Sequence, residues 1–329
     1  MTLTPAPNTP SRPVVGRFAP SPSGRMHLGN IFTAVISWLD ARSSGGRWIL
    51  RIEDLDPQRS KTVHARAIED DLRWLGLDWD EGGLDNLGQN PPYCQSLASD
   101  IYTRALRRIT DTGLAYPCRC TRADLNATNA PHSSDGRIIY PGTCRPASRP
   151  TPFTPPPFPH AVRLCVPDSL ITFTDIVFGP VSSNLAHDCG DFVLRRADLA
   201  WAYQLAVVVD DARMHVSRVV RGADLLLSTA QQLYLYSLLD LAAPSFAHLP
   251  LICNSAGRRL SKRDADLSMQ TLRDNFTPAQ IITIVARLAG LIPPAGPLVT
   301  LPELLRTFSW TAIPRTHTIR LPDDLKTFL

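Results

Sequence analysis

The chain has 329 residues, of which 44% are hydrophobic and 19% are charged, and its formal net charge is +4. These values are typical of a soluble globular protein with two domains, or with one large domain that carries an insertion. So mild a positive charge does not by itself establish a nucleic-acid partner.

The N-terminus and the apolar runs exclude two classes of protein. No apolar run approaches the roughly 20 residues that a membrane span requires. Residues 1–13 are rich in Pro and Thr and lack the apolar stretch of a secretory signal. We therefore expect a cytoplasmic protein that does not bind membranes, in which residues 1–13 form a disordered tail.

Residues 14–52 have the pattern of a strand, a turn, a helix and a second strand. Val14 and Val15 begin an apolar strand, which the sequence PSPSG at residues 20–24 interrupts. Apolar residues then recur at helical spacing, at Leu28, Ile31, Phe32, Val35, Ile36 and Leu39. Residues 47–52 (RWILRI) return to a strand pattern. This unit predicts a right-handed crossover in a doubly wound parallel sheet of the Rossmann type.

His27 and Gly29 lie at the N-terminus of the predicted helix. In such a crossover this N-terminus is at the carboxyl edge of the sheet, where ligands bind. Unpaired N–H groups and the positive end of the helix dipole favour a phosphate there. We expect His27 to add a donor and Gly29 to allow close approach. The alternative is an ordinary strand-to-helix turn with a surface histidine.

Three acidic residues follow the second predicted strand, namely Glu53, Asp54 and Asp56. A carboxylate at this position faces the ligand crevice of a doubly wound sheet and could bind an ammonium group or a ribose hydroxyl. The alternative is a solvated acidic turn that Pro57 closes.

A further helix is predicted from about residue 100 to residue 112.

Three of the seven cysteines are close together in a segment rich in Gly and Pro: Cys118, Cys120 and Cys144. An odd number of cysteines without an export signal argues against disulfides. Three thiols in one short insertion are typical of a structural zinc site, which needs a fourth ligand. His132 is the conventional candidate and Tyr140 the unconventional one, and three unconnected thiols are the alternative.

Residues 146–160 form a Pro-rich connector, after which strands are predicted at residues 161–166, 170–178 and 191–196. We expect the main sheet to resume with these strands, at the start of the second half of the domain.

Two buried runs follow, at residues 200–211 (AWAYQLAVVVDD) and 216–221 (VSRVVR). We expect both to bring polar residues to strand ends, where the crevice lies. Tyr203 and Arg221 are the candidates for substrate contact, although Arg221 could instead be a surface arginine.

A basic loop at residues 259–263 (RLSKR) contains Lys262, one of only three lysines in the chain. In a chain so biased towards arginine, a lysine inside a motif indicates that a compact ammonium is required. Such a loop suits a mobile arm that neutralises phosphate.

Beyond this loop, capping boxes at Thr277 with Gln280 and at Thr300 with Glu303 predict the last helices.

Taken together, these motifs resemble a known family. The sequence PSPSGRMHLGN at residues 20–30 resembles the HIGH motif of class I aminoacyl-tRNA synthetases, and RLSKR resembles their KMSKS loop. The neighbouring sequences RFAPS, RIED and VRG are similar to those of the glutamyl branch. The resemblance covers residues 14 to about 265. Asn30 and Arg259 depart from it, since the two motifs usually have a histidine and a lysine there.

Within this branch the chain resembles a short paralogue more than the full-length enzyme. The sequences DLDP at residues 54–57 and GADL at residues 222–225 match the paralogue. In addition, the chain ends about where the full enzyme would begin its anticodon-binding domains.

The resemblance implies an α/β fold, namely the Rossmann-type doubly wound parallel sheet of a class I synthetase. Its halves are expected at residues 14–114 and 161–270. A zinc-bearing insertion with its connector is expected at residues 115–160, and a small helical segment at residues 271–329. We expect a monomer.

The resemblance also implies an activity. Glutamate is activated with ATP and Mg2+ without tRNA, and is then transferred to the queuosine at the wobble position of tRNA(Asp). Alternatives are a truncated glutamyl-tRNA synthetase that charges the tRNA 3′ end, an inactive RNA-binding paralogue, and adenylyl transfer to a small molecule.

The implied roles fall into three groups. The catalytic residues are His27 and Lys262, which bind ATP together with Gly29 and Asn30. The residues that bind glutamate are Arg17, Phe18, Ala19, Pro20, Ser21, Glu53, Tyr203 and Arg221. The zinc ligands are Cys118, Cys120, Cys144 and, by resemblance, Tyr140.

Overall fold

The computed structural model describes residues 13–127, 139–148, 160–260 and 267–329, so the predicted site residue Lys262 and the rival zinc ligand His132 lie outside the described residues. The strands are β1 (Val15–Phe18), β2 (Arg47–Leu50), β3 (Glu81–Gly82), β4 (Ala115–Cys118), β5 (Ala161–Leu164), β6 (Leu170–Asp175), β7 (Gly179–Asn184), β8 (Phe192–Arg195), β9 (Arg218–Gly222), β10 (Ser245–Leu249), β11 (Leu251–Cys253) and β12 (Thr318–Arg320). The helices are α1 (Leu28–Ser43), α2 (Thr62–Trp74), α3 (Ser99–Asp111), α4 (Arg122–Ala127), α5 (Leu185–Asp188), α6 (Tyr203–Arg213), α7 (Ser228–Leu238), α8 (Met269–Asn275), α9 (Pro278–Leu288) and α10 (Leu301–Thr307). In this part of the chain no helix is both long and apolar enough to cross a membrane.

The main sheet is parallel and doubly wound, as predicted. β1 pairs with β2 and β2 with β3, while β10 pairs with both β6 and β9, all in parallel. β9 lies beside β1, where the N–H of Ser217 donates to the carbonyl of Val15 at 2.9 Å. β7 is an antiparallel edge strand. The strand order reverses between β1 and β9, which makes their carboxyl ends the ligand crevice of the fold.

Helix α1 is the centre of the packing around this crevice. It is buried along most of its length because the sheet covers one face and helices α9 and α10 cover the other. Both predicted capping boxes begin helices, at Thr277 for α9 and Thr300 for α10. Helices α8, α9 and α10 thus follow one another in the C-terminal part of the chain. This part also contains β12, which pairs with β11 and which the sequence did not predict.

The prediction that the main sheet resumes at residue 161 was wrong. β5 pairs antiparallel with β4 and with β8, so these three strands form a separate sheet next to the cysteine-rich segment. The parallel sheet resumes only with β6. The sequence pattern predicted β5, β6 and β8 but not β4, and it could not choose the partners of these strands, because pairing depends on contacts distant in sequence.

The expectation that residues 200–211 bring polar residues to a strand end was also wrong, because Tyr203–Arg213 is helix α6. The run from Leu205 to Val209 is buried on all sides, and without alternation such a run does not distinguish a strand from a buried helix. Three consecutive valines favour a strand locally, but tertiary packing overrides this preference. Tyr203 therefore begins a helix rather than preceding a strand end.

Candidate active site and metal centre

A cleft of about 430 Å3 opens at the carboxyl ends of β1 and β9. All the predicted glutamate- and ATP-binding residues in the described part of the chain line it: Arg17, Phe18, Ala19, Pro20, Ser21, His27, Gly29, Asn30, Glu53, Tyr203 and Arg221. Residues from both halves of the chain thus meet in this cleft. Arg221, for example, is 168 positions after Glu53 in the sequence.

His27 is the N-cap of α1. Its Nδ1 accepts a hydrogen bond from the backbone N–H of Gly29 at 3.1 Å, and the Asn30 side chain accepts one from the His27 backbone N–H at 3.1 Å. Because Nδ1 is an acceptor, the neutral ring carries its proton on Nε2, which can donate to a phosphate oxygen. The expected row of unpaired N–H groups is only partly present, since His27 itself binds one of them. Asn30 completes the capping box where the motif usually has a second histidine.

Gly29 leaves room for the His27 ring. A Cβ atom at residue 29 would lie 3.0 Å from Cε1 and 3.1 Å from Nδ1 of that ring. A side chain at this position would therefore require the imidazole to shift by a few tenths of an ångström.

A buried network of charges supports the wall of the cleft. Asp211 Oδ1 accepts from Arg17 Nε at 3.2 Å and from Arg51 Nη1 at 2.6 Å, and Arg51 Nη2 donates to Glu53 Oε1 at 3.1 Å. Burial opposes the charge on Arg51, but the carboxylates of Asp211, Glu53 and Asp210 outweigh burial and raise the Arg51 pKa well above its ordinary value. Burial raises the pKa of Glu53, although Arg51 and Arg17 oppose this. Both arginines that share Asp211 therefore have a carboxylate partner.

Arg221 differs from these arginines because its guanidinium donates hydrogen bonds to uncharged acceptors. Its Nε donates to His248 Nε2 at 3.0 Å, its Nη1 to Gln232 Oε1 at 2.7 Å, and its Nη2 to Thr229 Oγ1 at 2.8 Å. Among the described residues no carboxylate oxygen lies within 4.0 Å of this guanidinium, which is 4% exposed. Burial lowers its pKa. The cleft thus contains one buried cation without an ionic partner in the described part of the chain.

His248 connects Arg221 to Asp175 through two hydrogen bonds, one on each ring nitrogen. The His248 Nδ1–H donates to Asp175 Oδ2 at 2.6 Å, which leaves Nε2 as the acceptor for Arg221. Burial, together with the charge of Arg221, lowers the pKa of His248 to about 4, although Asp175 opposes this shift. The imidazole is therefore neutral at physiological pH.

Most of the residues that support the cleft were not predicted from the sequence: Arg51, Asp175, Asp211, Thr229, Gln232 and His248. The available signal was a polar residue inside an apolar run, as for Arg51 in RWILRI and His248 in FAHLP. A buried polar side chain needs a partner, but the sequence does not say which one.

The cysteine cluster has the spacing of a metal site. The three sulfurs of Cys118, Cys120 and Cys144 lie within 4.8 Å of one another, and those of Cys120 and Cys144 are 3.5 Å apart. Tyr140 Oη lies 3.5 Å from Cys118 Sγ and 3.7 Å from Cys120 Sγ. Neighbouring ligands of a tetrahedral zinc ion with Zn–S bonds of about 2.3 Å are about 3.4–3.8 Å apart. The cluster could therefore hold a metal ion.

The surroundings of the cluster act differently on its donors, since they lower the pKa of the Cys144 thiol, whereas burial raises the pKa values of Cys120 and Tyr140. Burial acts to raise the pKa of Cys144, but the backbone N–H of Arg119 and the hydrogen bonds around the cluster outweigh it and lower this pKa to about 7. The thiolate is the form that binds metals. Arg163 Nε donates to Cys118 Sγ at 3.3 Å, and its guanidinium lies 3.8 Å from the centre of the Tyr140 ring. This buried cation would offset the negative charge of a site built from thiolates.

The comparisons with known proteins agree with this geometry. The sequence model of the family described as tRNA synthetases class I (E and Q), catalytic domain, matches residues 13–323. A protein of Nitratidesulfovibrio vulgaris named glutamyl-Q tRNA(Asp) synthetase is 47% identical over 285 residues, which cover 84% of this chain and 87% of that protein. Its namesake from Symbiobacterium thermophilum is 46% identical over 316 residues, covering 94% and 96%.

A solved structure shares the fold. It is that of a glutamate tRNA ligase from Elizabethkingia meningosepticum in complex with its amino acid, with a TM-score of 0.80 and 29% identity over 96% of this chain and 68% of that one. Fold, cleft and sequence thus agree on the catalytic domain of a class I tRNA synthetase. The chain belongs to the glutamate and glutamine branch of that class and, within it, to the family of glutamyl-Q tRNA(Asp) synthetases.

Proposed function

We propose that this chain attaches glutamate to the queuosine base of tRNA(Asp) in two steps. First, a carboxylate oxygen of glutamate attacks the α-phosphorus of ATP, giving glutamyl-adenylate and pyrophosphate without any need for tRNA. Second, a hydroxyl group of the queuosine cyclopentenediol attacks the adenylate carbonyl, forming an ester and releasing AMP. The names of the relatives support this acceptor.

The observation that carries the proposal is the charge pattern of the cleft. Glutamate has two carboxylates and one ammonium group, so its pocket needs two cations and one anion. Arg17, Arg221 and Glu53 supply these charges in one cleft. A guanidinium binds a carboxylate through two parallel hydrogen bonds, which fixes the ligand's orientation. Tyr203 and Ser21 add hydroxyl groups.

Glutamine is rejected by the same pocket. Its side-chain amide is neutral, so one buried guanidinium would keep its charge without a counter-charge. A site built around such a polar contact discriminates strongly against a ligand that lacks it.

ATP binds at the N-terminus of α1 beside His27, Gly29 and Asn30. Negative charge develops on the phosphate oxygens during the in-line displacement, and Mg2+ supplies part of the compensating charge when it is bound with ATP. The His27 Nε2–H donates to one of these oxygens, and the KMSKS-like motif suggests that the ammonium group of Lys262 contributes positive charge in the same step. Loss of one such donor typically costs about 3 to 4 kcal/mol.

We propose that the metal of the cysteine cluster is a structural zinc ion and that Tyr140 is its fourth ligand. The three thiol donors and their spacing favour zinc. The distances from Tyr140 Oη to two of the sulfurs support this choice, while the rival ligand His132 lies outside the described residues.

A transfer assay with radiolabelled glutamate tests the proposed acceptor. Three RNAs are compared: tRNA(Asp) with queuosine, the same tRNA without queuosine, and queuosine-bearing tRNA(Asp) without its 3′-terminal adenosine. We expect label on the first and third RNAs and none on the second. Label on the second RNA that disappears when its 3′ end is trimmed would instead indicate 3′-end charging, the activity of a truncated glutamyl-tRNA synthetase.

A further inference from the structure

Arg221 and Arg51 are both buried arginines of the same site, yet they are held in opposite ways. Arg51 forms ion pairs with Glu53 and Asp211 at 3.1 and 2.6 Å. Arg221 donates to an imidazole nitrogen, an amide oxygen and a hydroxyl oxygen instead. A buried cation without an ion-pair partner carries a desolvation cost that a carboxylate of a bound ligand can offset. For Arg221 the described residues provide acceptors for its hydrogens but no ion pair for its charge.

We propose that Gln232, Thr229 and His248 are specificity-determining positioning residues. They orient Arg221 through uncharged acceptors, so that the side-chain carboxylate of the bound amino acid supplies its counter-charge. This inference rests on the proposed activation of glutamate. The three residues touch Arg221 rather than the reacting atoms, and they act by keeping its charge available to the ligand.

Gln232 is the most informative of the three because Glu has the same shape and adds only a charge. In Gln232→Glu the carboxylate would lie where the amide oxygen lies now, 2.7 Å from Arg221 Nη1. Arg221 would then have an ion-pair partner within the protein. A ligand carboxylate would have to compete with it, and the advantage of glutamate over glutamine would shrink.

The surrounding hydrogen bonds can accommodate this change. Gln232 Nε2 donates to Gln204 Oε1 at 2.8 Å, and Gln204 Nε2 donates to Gln231 Oε1 at 2.7 Å. If the Gln204 and Gln231 amides rotate by 180°, Gln204 donates to the new carboxylate and accepts from Gln231. The chain of amides therefore keeps its hydrogen bonds, and the substitution tests charge rather than packing.

The test is ATP–pyrophosphate exchange, with the KM for glutamate, glutamine and ATP measured separately. For Gln232→Glu we expect the KM for glutamate to rise roughly tenfold or more, as for loss of a charged hydrogen bond, while the KM for ATP stays unchanged. The ratio of kcat/KM for glutamate to that for glutamine should fall by a similar factor. A merely structural role would change both substrates' KM together.

Two further variants make the test decisive. Gln231→Glu adds the same charge one residue away, where it does not touch Arg221, and should leave the KM for glutamate within about threefold of wild type. Thr229→Asp brings a carboxylate to Arg221 Nη2 in the first turn of α7, where the helix dipole favours it, and should behave like Gln232→Glu. Thermal melts followed by circular dichroism identify any unfolded variant, and Thr229→Asp decides the question if Gln232→Glu does not fold.

The outcomes separate this inference from the proposed function. If the wild type exchanges pyrophosphate with glutamate but the folded variants keep its KM and selectivity, the inference is overturned and the proposed function stands. An equal rise in the KM for glutamate in Gln231→Glu would overturn the inference as well. If the wild type shows no glutamate-dependent exchange, both proposals fail.

Discussion

Arg17 and Arg51 share one carboxylate oxygen, Asp211 Oδ1, at 3.2 and 2.6 Å. The three residues come from β1, from the end of β2 and from α6, so this contact fixes α6 to the two strands beneath the cleft. Burial acts to raise the pKa of Asp211, but Arg51 and Arg17 outweigh it and lower this pKa. The carboxylate is ionised and offsets the charge of both buried guanidinium groups. One of them belongs to Arg17, a predicted glutamate-binding residue that lines the cleft.

The first prediction concerns this shared carboxylate. Asp211→Asn removes the charge with little change in shape and leaves two buried guanidinium groups under-compensated. We expect the free energy of unfolding to fall by about 3 to 5 kcal/mol. Urea unfolding measures this change. Asp198→Asn is the control, because it removes an exposed partner of Arg196 and should cost no more than about 1 kcal/mol. Equal losses in the two variants would contradict the structural role of Asp211.

The second prediction concerns pH. His248 has a pKa of about 4 in the fold and an ordinary value of 6.5 in the unfolded chain, and it lies among the charges of Asp175, Arg221 and Asp224. Between these pH values the unfolded chain binds more protons, so the fold loses stability as the pH falls from about 6.5 towards 4. The contribution at pH 7 is at most about 3 kcal/mol.

His248→Gln tests this pH dependence because glutamine does not titrate. Its free energy of unfolding, measured with urea at several pH values, should depend less steeply on pH between about 4.5 and 6.5 than that of the wild type. Identical slopes for the two proteins would mean that His248 is not held neutral by the fold.

The third prediction separates the two roles of His27. His27→Ala and His27→Asn both remove the ring, and we expect each to reduce glutamate-dependent exchange at least roughly a hundredfold. Asparagine is a good N-cap whereas alanine is not, so only His27→Ala should lose about 1 kcal/mol of stability. Full exchange activity in His27→Asn would show that the histidine serves only as a cap. We expect Lys262→Ala to lose as much activity as His27→Ala.

The fourth prediction concerns the metal. Cys118→Ser should lose the zinc that elemental analysis finds in the wild type at about one equivalent. Cys165→Ser is the matched control, since Cys165 is also buried but lies outside the donor set. Tyr140→Phe should weaken zinc binding, while His132→Ala should retain the metal. Loss of zinc in His132→Ala together with its retention in Tyr140→Phe would reverse the choice of fourth ligand.

Local patterns predicted the part of the fold that local chemistry determines. The strand, turn and helix around His27 were readable because Pro and Gly mark the turn and apolar residues recur at helical spacing over several turns. Helix α6 was misassigned because its buried valines have no periodicity that distinguishes the two structures. The pairing of β5 with β4 was also unreadable, because it depends on tertiary packing.

The same limit applies to the site. Residues inside recognisable motifs, such as Arg17, Glu53 and Arg221, could be predicted, and all of them line the cleft. The partners that support them could not. Arg51 and Asp211 are 160 positions apart, and Asp175 and His248 are 73 apart. No local pattern encodes such pairs. Lys262 lies outside the described residues, so its role stays a prediction.

The central claim is that this cleft activates glutamate by itself. The most direct measurement is ATP–pyrophosphate exchange in the absence of any tRNA, with glutamate, glutamine or aspartate as the amino acid. We predict exchange with glutamate that falls at least roughly a hundredfold in His27→Asn, and little exchange with the other two amino acids. A wild-type protein that shows no exchange with glutamate, or exchanges equally well with glutamine, would contradict it.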